Sequence, residues 1–374
     1  MRAVNSAIMR EINRTLILDL IRKRPISRAE LAEETELTPP SVSAIINELI
    51  SEGIVVETMT IGGGKLGRRR TQLEINPNAR KFIGINLGRK QCSIGVINLR
   101  GEVLAHVKEP VEGREAKEVL DSVEKNILRL KDELMLDARS MESIGFCAPG
   151  SLDVRSGEML NPRRFPKWYG VRTAEILAQR LNTRVLVENV ANAHALDEYY
   201  FGCAASDNFA LIRMDESLGA GVVVDGHLYH GAHRHAVELG HICMESNGAE
   251  CDCGNRGCLE NCISSESLLK GTPYRTFAEL MTHSDDPEVV DRSVRLVKYL
   301  SYGIITVLNL FDVDKIVLAG ELSHLSKSVL YHINRIVSAR ALIKPSDPPV
   351  VLSTFGDPAR IAALPVLQTE FASN

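Results

Sequence analysis

Residues Glu238–Glu260 read ELGHICMESNGAECDCGNRGCLE, and this stretch decides how the rest of the chain is understood. It sets out His241, nine residues, Cys251, one residue, Cys253, four residues, then Cys258. Thiolate and imidazole are the ligands a tetrahedral structural zinc prefers, with three soft sulfurs and one nitrogen closing the shell. Gly254 and Gly257 suit the tight turns that bring three thiols to one ion. The ordinary alternative is three small cysteines buried in a core, but a loop this polar offers them none. Cys243 and Cys262 lie nearby and fit the compact pattern less well. One structural zinc per chain is expected, on His241, Cys251, Cys253 and Cys258.

Carboxylates bracket this cluster. Glu238 precedes His241 by three residues and Glu260 follows Cys258 by two. A metal that ties both ends of the loop would hold two acceptors and the free imidazole edge toward one pocket. That set suits a polyol, whose hydroxyls need paired donors and acceptors on leaving water. ELGH followed by CxCGxxGCLE resembles the signature of the ROK family (repressors, open reading frames and sugar kinases), and the resemblance runs over nearly the whole chain. It implies that the metal-bound loop carries the Glu and His that hold a hexose.

Length and composition set the bounds. A chain of 374 residues exceeds one ordinary domain, so two or three are expected. With 44% hydrophobic and 25% charged residues it reads as soluble and globular. No apolar run approaches ~18–20 residues, so no membrane span is expected. Neither does the N-terminus carry a signal-peptide pattern. Eight cysteines, several in a metal-like array, fit a reducing cytoplasm better than a disulfide framework. The net charge of −4 does not advertise nucleic-acid binding. Its distribution says more: residues 1–80 hold 12 Lys/Arg against 10 Asp/Glu, the remainder 32 against 38. A DNA-binding surface would therefore be local.

Residues 8–24 place Ile8, Ile12, Leu16 and Leu20 on one helical face, ended by Pro25. Ser27 and Glu30 form a capping box opening a short second helix with Leu31 and Ala32. Thr38 caps a third, with Pro39 or Pro40 in its first turn. That helix buries Val42, Ile45 or Ile46, and Leu49. It exposes Ser41, Ser43 and Asn47, short polar groups able to enter a major groove. Two strand-like runs follow, joined by GGGKLGRR, whose tip carries Lys65, Arg68, Arg69 and Arg70. Three helices and a basic hairpin make the order of a winged helix-turn-helix. The third helix would read bases while the wing holds phosphates. A three-helix protein-interaction module is the alternative. SRAELA and GRRR also resemble the DNA-binding domain of ROK repressors.

From Lys81 the pattern becomes three short strands, a helix over about 115–136 and the strand SIGFCAPG. This opening resembles the ribonuclease-H-like lobe of sugar kinases and actin-like ATPases. The expected fold class is α/β, a two-lobed domain of that kind preceded by a winged helix-turn-helix. The expected domains are 1–78 for DNA, 79–191 plus about 356–374 for the first lobe, and 192–355 for the second. The second lobe would begin near Asn192 and carry the zinc loop and an oligomerisation surface.

The resemblance to sugar kinases can be checked at three places. A phosphate turn, commonly Asp-x-Gly-Gly-Thr, reads here Asn86-Leu-Gly88-Arg89-Lys90. A second Gly-rich turn reads Asp215-Glu216-Ser217-Leu218-Gly219-Ala220-Gly221, with carboxylates where polyphosphate would lie. The Asn-Asp-x-Asn that supplies the base reads Asn189-Val190-Ala191-Asn192. Valine accepts no proton, so general-base catalysis at that position is excluded. A displaced base from Glu188, Glu238 or Asp215 would be the alternative. The sugar-holding positions are better kept: Asn189, Glu238, His241 and Glu260. NPRRFPKW stands where many relatives have Asn-Leu-Pro-Gly-Trp, which puts Arg164 at a sugar-contacting position and favours a phosphorylated or acidic sugar.

The expected protein is thus not an enzyme. It is a cytoplasmic, sugar-responsive repressor that binds double-stranded operator DNA as a homodimer or homotetramer, with a sugar or sugar phosphate as effector. Two readings stay open beside it: an active sugar kinase with a DNA-binding appendage, and a regulator controlled by a transport-system protein.

Overall fold

The computed structural model describes residues 6–371 except 60–70, 162–164, 203, 205, 216, 236, 284–285, 343–347 and 355. The N-terminal unit holds α1 (Ser6–Lys23), α2 (Arg28–Thr35), α3 (Pro39–Ser51), β1 (Val55–Met59) and β2 (Thr71–Ile75). Local chemistry accounts for its boundaries. The Ser27 side chain accepts from the Glu30 N–H while Glu30 accepts from the Ser27 N–H, closing the capping box. Thr38 accepts from the Ser41 N–H, with prolines in the first turn where no helical N–H is needed. Val42, Ile45, Ile46 and Leu49 are all buried. β1 and β2 pair antiparallel from Val55↔Ile75 to Met59↔Thr71. The expected basic tip, Lys65, Arg68, Arg69 and Arg70, lies outside the described residues.

One expectation is reversed here. The face of α1 with Ile8, Ile12 and Leu16 points outward, each residue being over 40% exposed, and Leu20 is only half-buried. Ile17, Leu18 and Ile21 are the residues that enter the core. Apolar spacing finds a stripe on a helix, but two stripes compete in α1, and the tertiary partner chooses between them.

The remainder consists of two sheets of the same topology. The first runs β5-β4-β3-β6-β7, from β3 (Lys81–Leu87), β4 (Gln91–Asn98), β5 (Val103–Pro110), β6 (Ser143–Ala148) and β7 (Arg184–Asn189). α4 (Ala116–Glu133) and α5 (Thr173–Leu181) connect its parallel strands. α6 (Val190–Phe201) then leads to the second sheet, β10-β9-β8-β11-β12. Its strands are β8 (Phe209–Met214), β9 (Leu218–Val224), β10 (His227–Leu228), β11 (Lys315–Gly320) and β12 (Val350–Leu352). In each sheet three antiparallel strands precede two parallel ones. The second lobe adds α7 (Leu259–Ile263), α8 (Ser265–Leu269), α9 (Phe277–Thr282), α10 (Pro287–Phe311) and α11 (Lys327–Arg340).

The chain closes with α12 (Pro358–Phe371), which returns to the first sheet. Glycine makes that return possible. A Cβ at Gly84 would lie 2.2 Å from the Ala362–Ala363 backbone, and one at Gly145 would lie 2.1 Å from the Ala362 carbonyl oxygen. Only bare strands let the helix come so close.

Against the expectation that no stretch approached membrane length, α10 has 25 residues with a mean hydropathy of 1.3 in its most apolar window. Leu296, Leu300, Ile304 and Leu308 on it are buried in the second lobe's core, which accounts for its composition.

Candidate functional site

The tight turns around Gly254 and Gly257, both at positive φ, gather the predicted metal ligands. One ligand atom from each of His241, Cys251, Cys253 and Cys258 lies within 4.8 Å of all the others. The Cys253 and Cys258 sulfurs are 3.7 Å apart, and Cys251 Sγ is 3.6 Å from His241 Nδ1. A tetrahedral ion with sulfur bonds of about 2.3 Å would set its sulfurs roughly 3.8 Å apart, so the donor set fits a bound metal. The polar loop nevertheless buries Cys251 and Cys258, while Cys253 is exposed. Cys258 also stands at the N-cap of α7, so a candidate ligand begins the helix that carries Glu260.

Glu238, His241 and Glu260 line a pocket together with Asn189. His241 turns Nδ1 to Cys251 and also lines the pocket. Glu260 is buried, and its Oε2 accepts the Leu218 N–H at 2.8 Å. Glu238 Oε1 accepts from the Ser151 hydroxyl at 2.7 Å. Asn189 caps α6 by accepting from the Ala191 N–H, and its amide donates to the Gly150 carbonyl at 2.7 Å. The pocket measures about 60 Å³ and adjoins a chamber of about 280 Å³ that shares Pro149, Gly150, Ser151, Glu238, His241 and Glu260. Arg164, the fifth expected ligand residue, lies outside the described residues.

Several lining groups were not singled out as ligands from the sequence. Ser151 follows the Pro149-Gly150 turn after β6, a position the turn itself signals. Glu188, at the end of β7, is buried and accepts from the Asn189 N–H and the Asn192 amide, each at 2.9 Å. His230 lies 2.8 Å from it and Arg234 3.6 Å. Burial pushes the Glu188 carboxyl up, but the hydrogen bond and charge of His230, with the Asn192 and Asn189 donors, outweigh this and hold it below the usual carboxylate value. Arg234 and His235 line the same wall, from a loop with no periodicity to give them away.

A second cleft of about 170 Å³ opens on the far side of Val190. Asn86, Gly88 and Gln91 border it from the first lobe, and Arg213, Asp215 and Ser217 from the second. Val190, Arg213, Pro149 and Ser217 are common to both cavities. Val190 thus stands between the polar pocket and the cleft formed by the two suspected phosphate turns. Inside that cleft Arg213 and Asp215 form an ion pair at 2.5 Å. Glu216, the second expected carboxylate there, lies outside the described residues.

On the N-terminal unit, Ser41 and Asn47 are exposed on α3 and Ser43 is half-buried. Arg28, which the sequence reading passed over inside the capping box, holds this face together. It donates to Asn47 Oδ1 at 3.0 Å and pairs with Glu57 on β1 at 2.8 Å. Its signal was only its place in SRAELA.

Two family profiles match separate parts of the chain. The ROK family profile matches residues 82–363, and a winged helix-turn-helix DNA-binding profile matches residues 9–56. The xylose repressor of Bacillus spizizenii is 29% identical over 351 residues, covering 91% of this chain and 90% of its own. A solved ROK family transcriptional regulator, a homologue of the Escherichia coli MLC protein, superposes with a TM-score of 0.77 at 29% identity over 97% of both chains. The ROK hexokinase of Thermus thermophilus superposes with a TM-score of 0.67 at 25% identity, covering 78% of this chain and all of its own.

Proposed function

This chain belongs to the ROK family, and on that footing we propose that it is a sugar-responsive, operator-binding repressor whose kinase-derived domain binds its effector without phosphorylating it. One observation carries the reading. The pocket keeps Asn189, Glu238, His241 and Glu260 together, while Val190 stands on the wall where a phosphoryl-transferring relative needs a base. The Arg213–Asp215 pair beyond Val190 adds to it, since the Asp215 carboxylate puts negative charge in the cleft a nucleotide's phosphates would enter.

The remaining assignments follow from this. Zinc is the metal the Cys3His set favours, holding the Glu238/His241/Glu260 side of the pocket. Ser41, Ser43 and Asn47 would read base edges, and Lys65, Arg68, Arg69 and Arg70 would hold phosphates. The domains are 1–78, 79–191 with 356–374, and 192–355. Two copies at least are needed to read a symmetric operator. Arg164 is the group that would reward an anionic effector, a sugar phosphate over a neutral sugar.

The test is fluorescence anisotropy on DNA from upstream of the protein's own gene, titrated at fixed salt with xylose, glucose, N-acetylglucosamine and glucose 6-phosphate. Tight binding that one sugar class weakens or strengthens is the expected result. Tight binding indifferent to all of them would point to a protein effector. ADP release with ATP, Mg²⁺ and any of these sugars would overturn the non-catalytic reading.

A further inference from the structure

The polar pocket and the DNA-binding unit share one helix. α6 begins at the pocket, where Asn189, its N-cap, and Val190 and Ala191, its first residues, form part of the lining. Twelve residues later, about 18 Å along the axis, it ends in Tyr199, Tyr200 and Phe201 against α1. Leu196 of α6 lies in one apolar cluster with Ile17, Leu18 and Ile21 of α1 and Leu364 and Leu367 of α12.

α6 is built to move as a rod. Every residue from Val190 to Glu198 is buried, so it has no solvent face along which to bend. Asp197 is fully buried and takes both arms of Arg360 on α12, at 2.5 and 2.9 Å. Glu198 accepts from Ser353 at 2.8 Å. Breaking such a pair strands a charge in the interior, so small displacements of one end are transmitted along the helix. Its flank packs on β9 of the second lobe and on α12 of the first, the two bodies whose relative angle an occupied cleft would change.

At the far end a charged side chain adds to this apolar contact between the rod and the DNA-binding unit. Arg22 of α1 donates to the Tyr200 carbonyl at 2.5 Å. Its guanidinium lies 4.9 Å from the Tyr200 ring centroid, 5.5 Å from Tyr199 and 6.0 Å from Phe371. Its own helix steadies it through Asp19, and its side chain is only 6% exposed. A planar cation seated on three rings and bonded to a helix-terminal carbonyl has little freedom to slide.

We propose that α6 couples the effector pocket to the DNA-binding unit and that Arg22 is the positioning residue through which α1 follows it. This rests on the sugar-responsive reading above. Occupation of the pocket shifts the N-terminus of α6 with the closing lobes. The Tyr200 end then carries Arg22, and with it α1 and the core on which α3 sits. Arg22 touches neither effector nor operator in this scheme, so its loss uncouples two sites that each still bind.

The experiment measures operator affinity with and without saturating effector, and effector affinity with and without operator, in wild type, Arg22→Ala, Tyr200→Leu and Arg22→Lys. Each of the four probe sugars is tried. The wild-type ratio, roughly 5–150-fold for a typical coupled pair, should fall to within about twofold of one in Arg22→Ala and Tyr200→Leu, equally in both directions of the cycle. Each separate affinity should stay within about threefold of wild type. A merely structural Arg22 would instead lower both affinities or the melting temperature and leave the ratio standing. An undiminished ratio in a folded variant overturns the inference and leaves the proposed function intact. A wild-type protein whose operator binding no sugar alters overturns both. Should the two truncations fail to fold, Arg22→Lys decides, since it keeps the charge beside Asp19 and loses the planar stack. A reduced ratio in it supports the coupling role, and a wild-type ratio refutes it.

Discussion

Replacing Cys253 by serine tests the proposed metal and what it would do for this protein. Cys253 is the exposed member of the cluster, so Cys253→Ser removes a ligand without opening a cavity. The consequence can be sized from the loop itself. Residues 244–258 are held by six backbone hydrogen bonds, among them Met244 N–H to Gly257 O, Cys251 N–H to Asn255 O and Gly257 N–H to Ala249 O. At about 1 kcal/mol each they contribute about 6 kcal/mol. Ordering fifteen residues costs about 15 kcal/mol of backbone entropy at the low end of the usual range. The shortfall of about 9 kcal/mol is close to the roughly 10–16 kcal/mol that a structural zinc supplies at neutral pH. Without the metal the loop should lose its fixed shape, and Glu238, His241 and Glu260 their common orientation.

The assay pairs metal content by mass spectrometry with operator anisotropy and effector titration. Wild type should carry one zinc per chain, and Cys253→Ser or chelated protein far less. Effector response should fall by at least about tenfold in the depleted protein, as expected when a pocket's positioning shell is loosened. Effector-free operator binding should change by less than about threefold, because α3 packs in an apolar cluster that holds no residue of this loop. A depleted protein that responds to its sugar as wild type does would refute the reasoning.

Other consequences are open to measurement. Asn47→Ala should weaken operator binding by about 1–3 kcal/mol and relax preference at one base position, whereas losing one of Arg68–Arg70 should weaken all sequences alike and lower the salt slope by about one; equal effects on matched and scrambled DNA would remove Asn47 from the reading face. Arg28→Ala should also reduce discrimination between matched and scrambled DNA, since Arg28 holds the Asn47 carboxamide at 3.0 Å; unchanged discrimination would refute that role. Glu188, whose folded carboxyl is depressed by His230 and its neighbours despite burial, contributes stability that is present above the unfolded carboxylate value of about 4.3 and lost as pH falls through its folded value. Melting curves of wild type and Glu188→Gln should therefore separate near neutral pH and converge in acid; a gap constant across that range would contradict the assignment. Gly84→Ala would bring a Cβ within 2.2 Å of the α12 backbone and should cost at least about 1–3 kcal/mol in chemical denaturation, where an unchanged midpoint would show that α12 gives way freely.

What could be read from the chain alone was whatever depends on near neighbours in sequence. The Ser27–Glu30 box, the Thr38 cap and the hairpin strands each need only a few consecutive residues, and each stands where expected. The His241, Cys251, Cys253 and Cys258 cluster was legible for the same reason, since three of its four residues lie within eight positions and the glycines between them announce the turns. Fold class followed because strand patterns and the CxCGxxGCLE motif are legible at the level of residue type. Tertiary structure decided the rest. Only packing turned Ile17, Leu18 and Ile21 of α1 inward instead of Ile8, Ile12 and Leu16, because a helix with two apolar stripes has no internal means to rank them. Only packing placed α6 inside the protein from Val190 to Glu198, with a charged residue pair far apart in sequence, Asp197 and Arg360, closing on each other. Arg22 shows the limit most plainly. In the sequence it is one basic residue near a helix end, and its meaning comes from Tyr199, Tyr200 and Phe371, which only the folded chain brings around it.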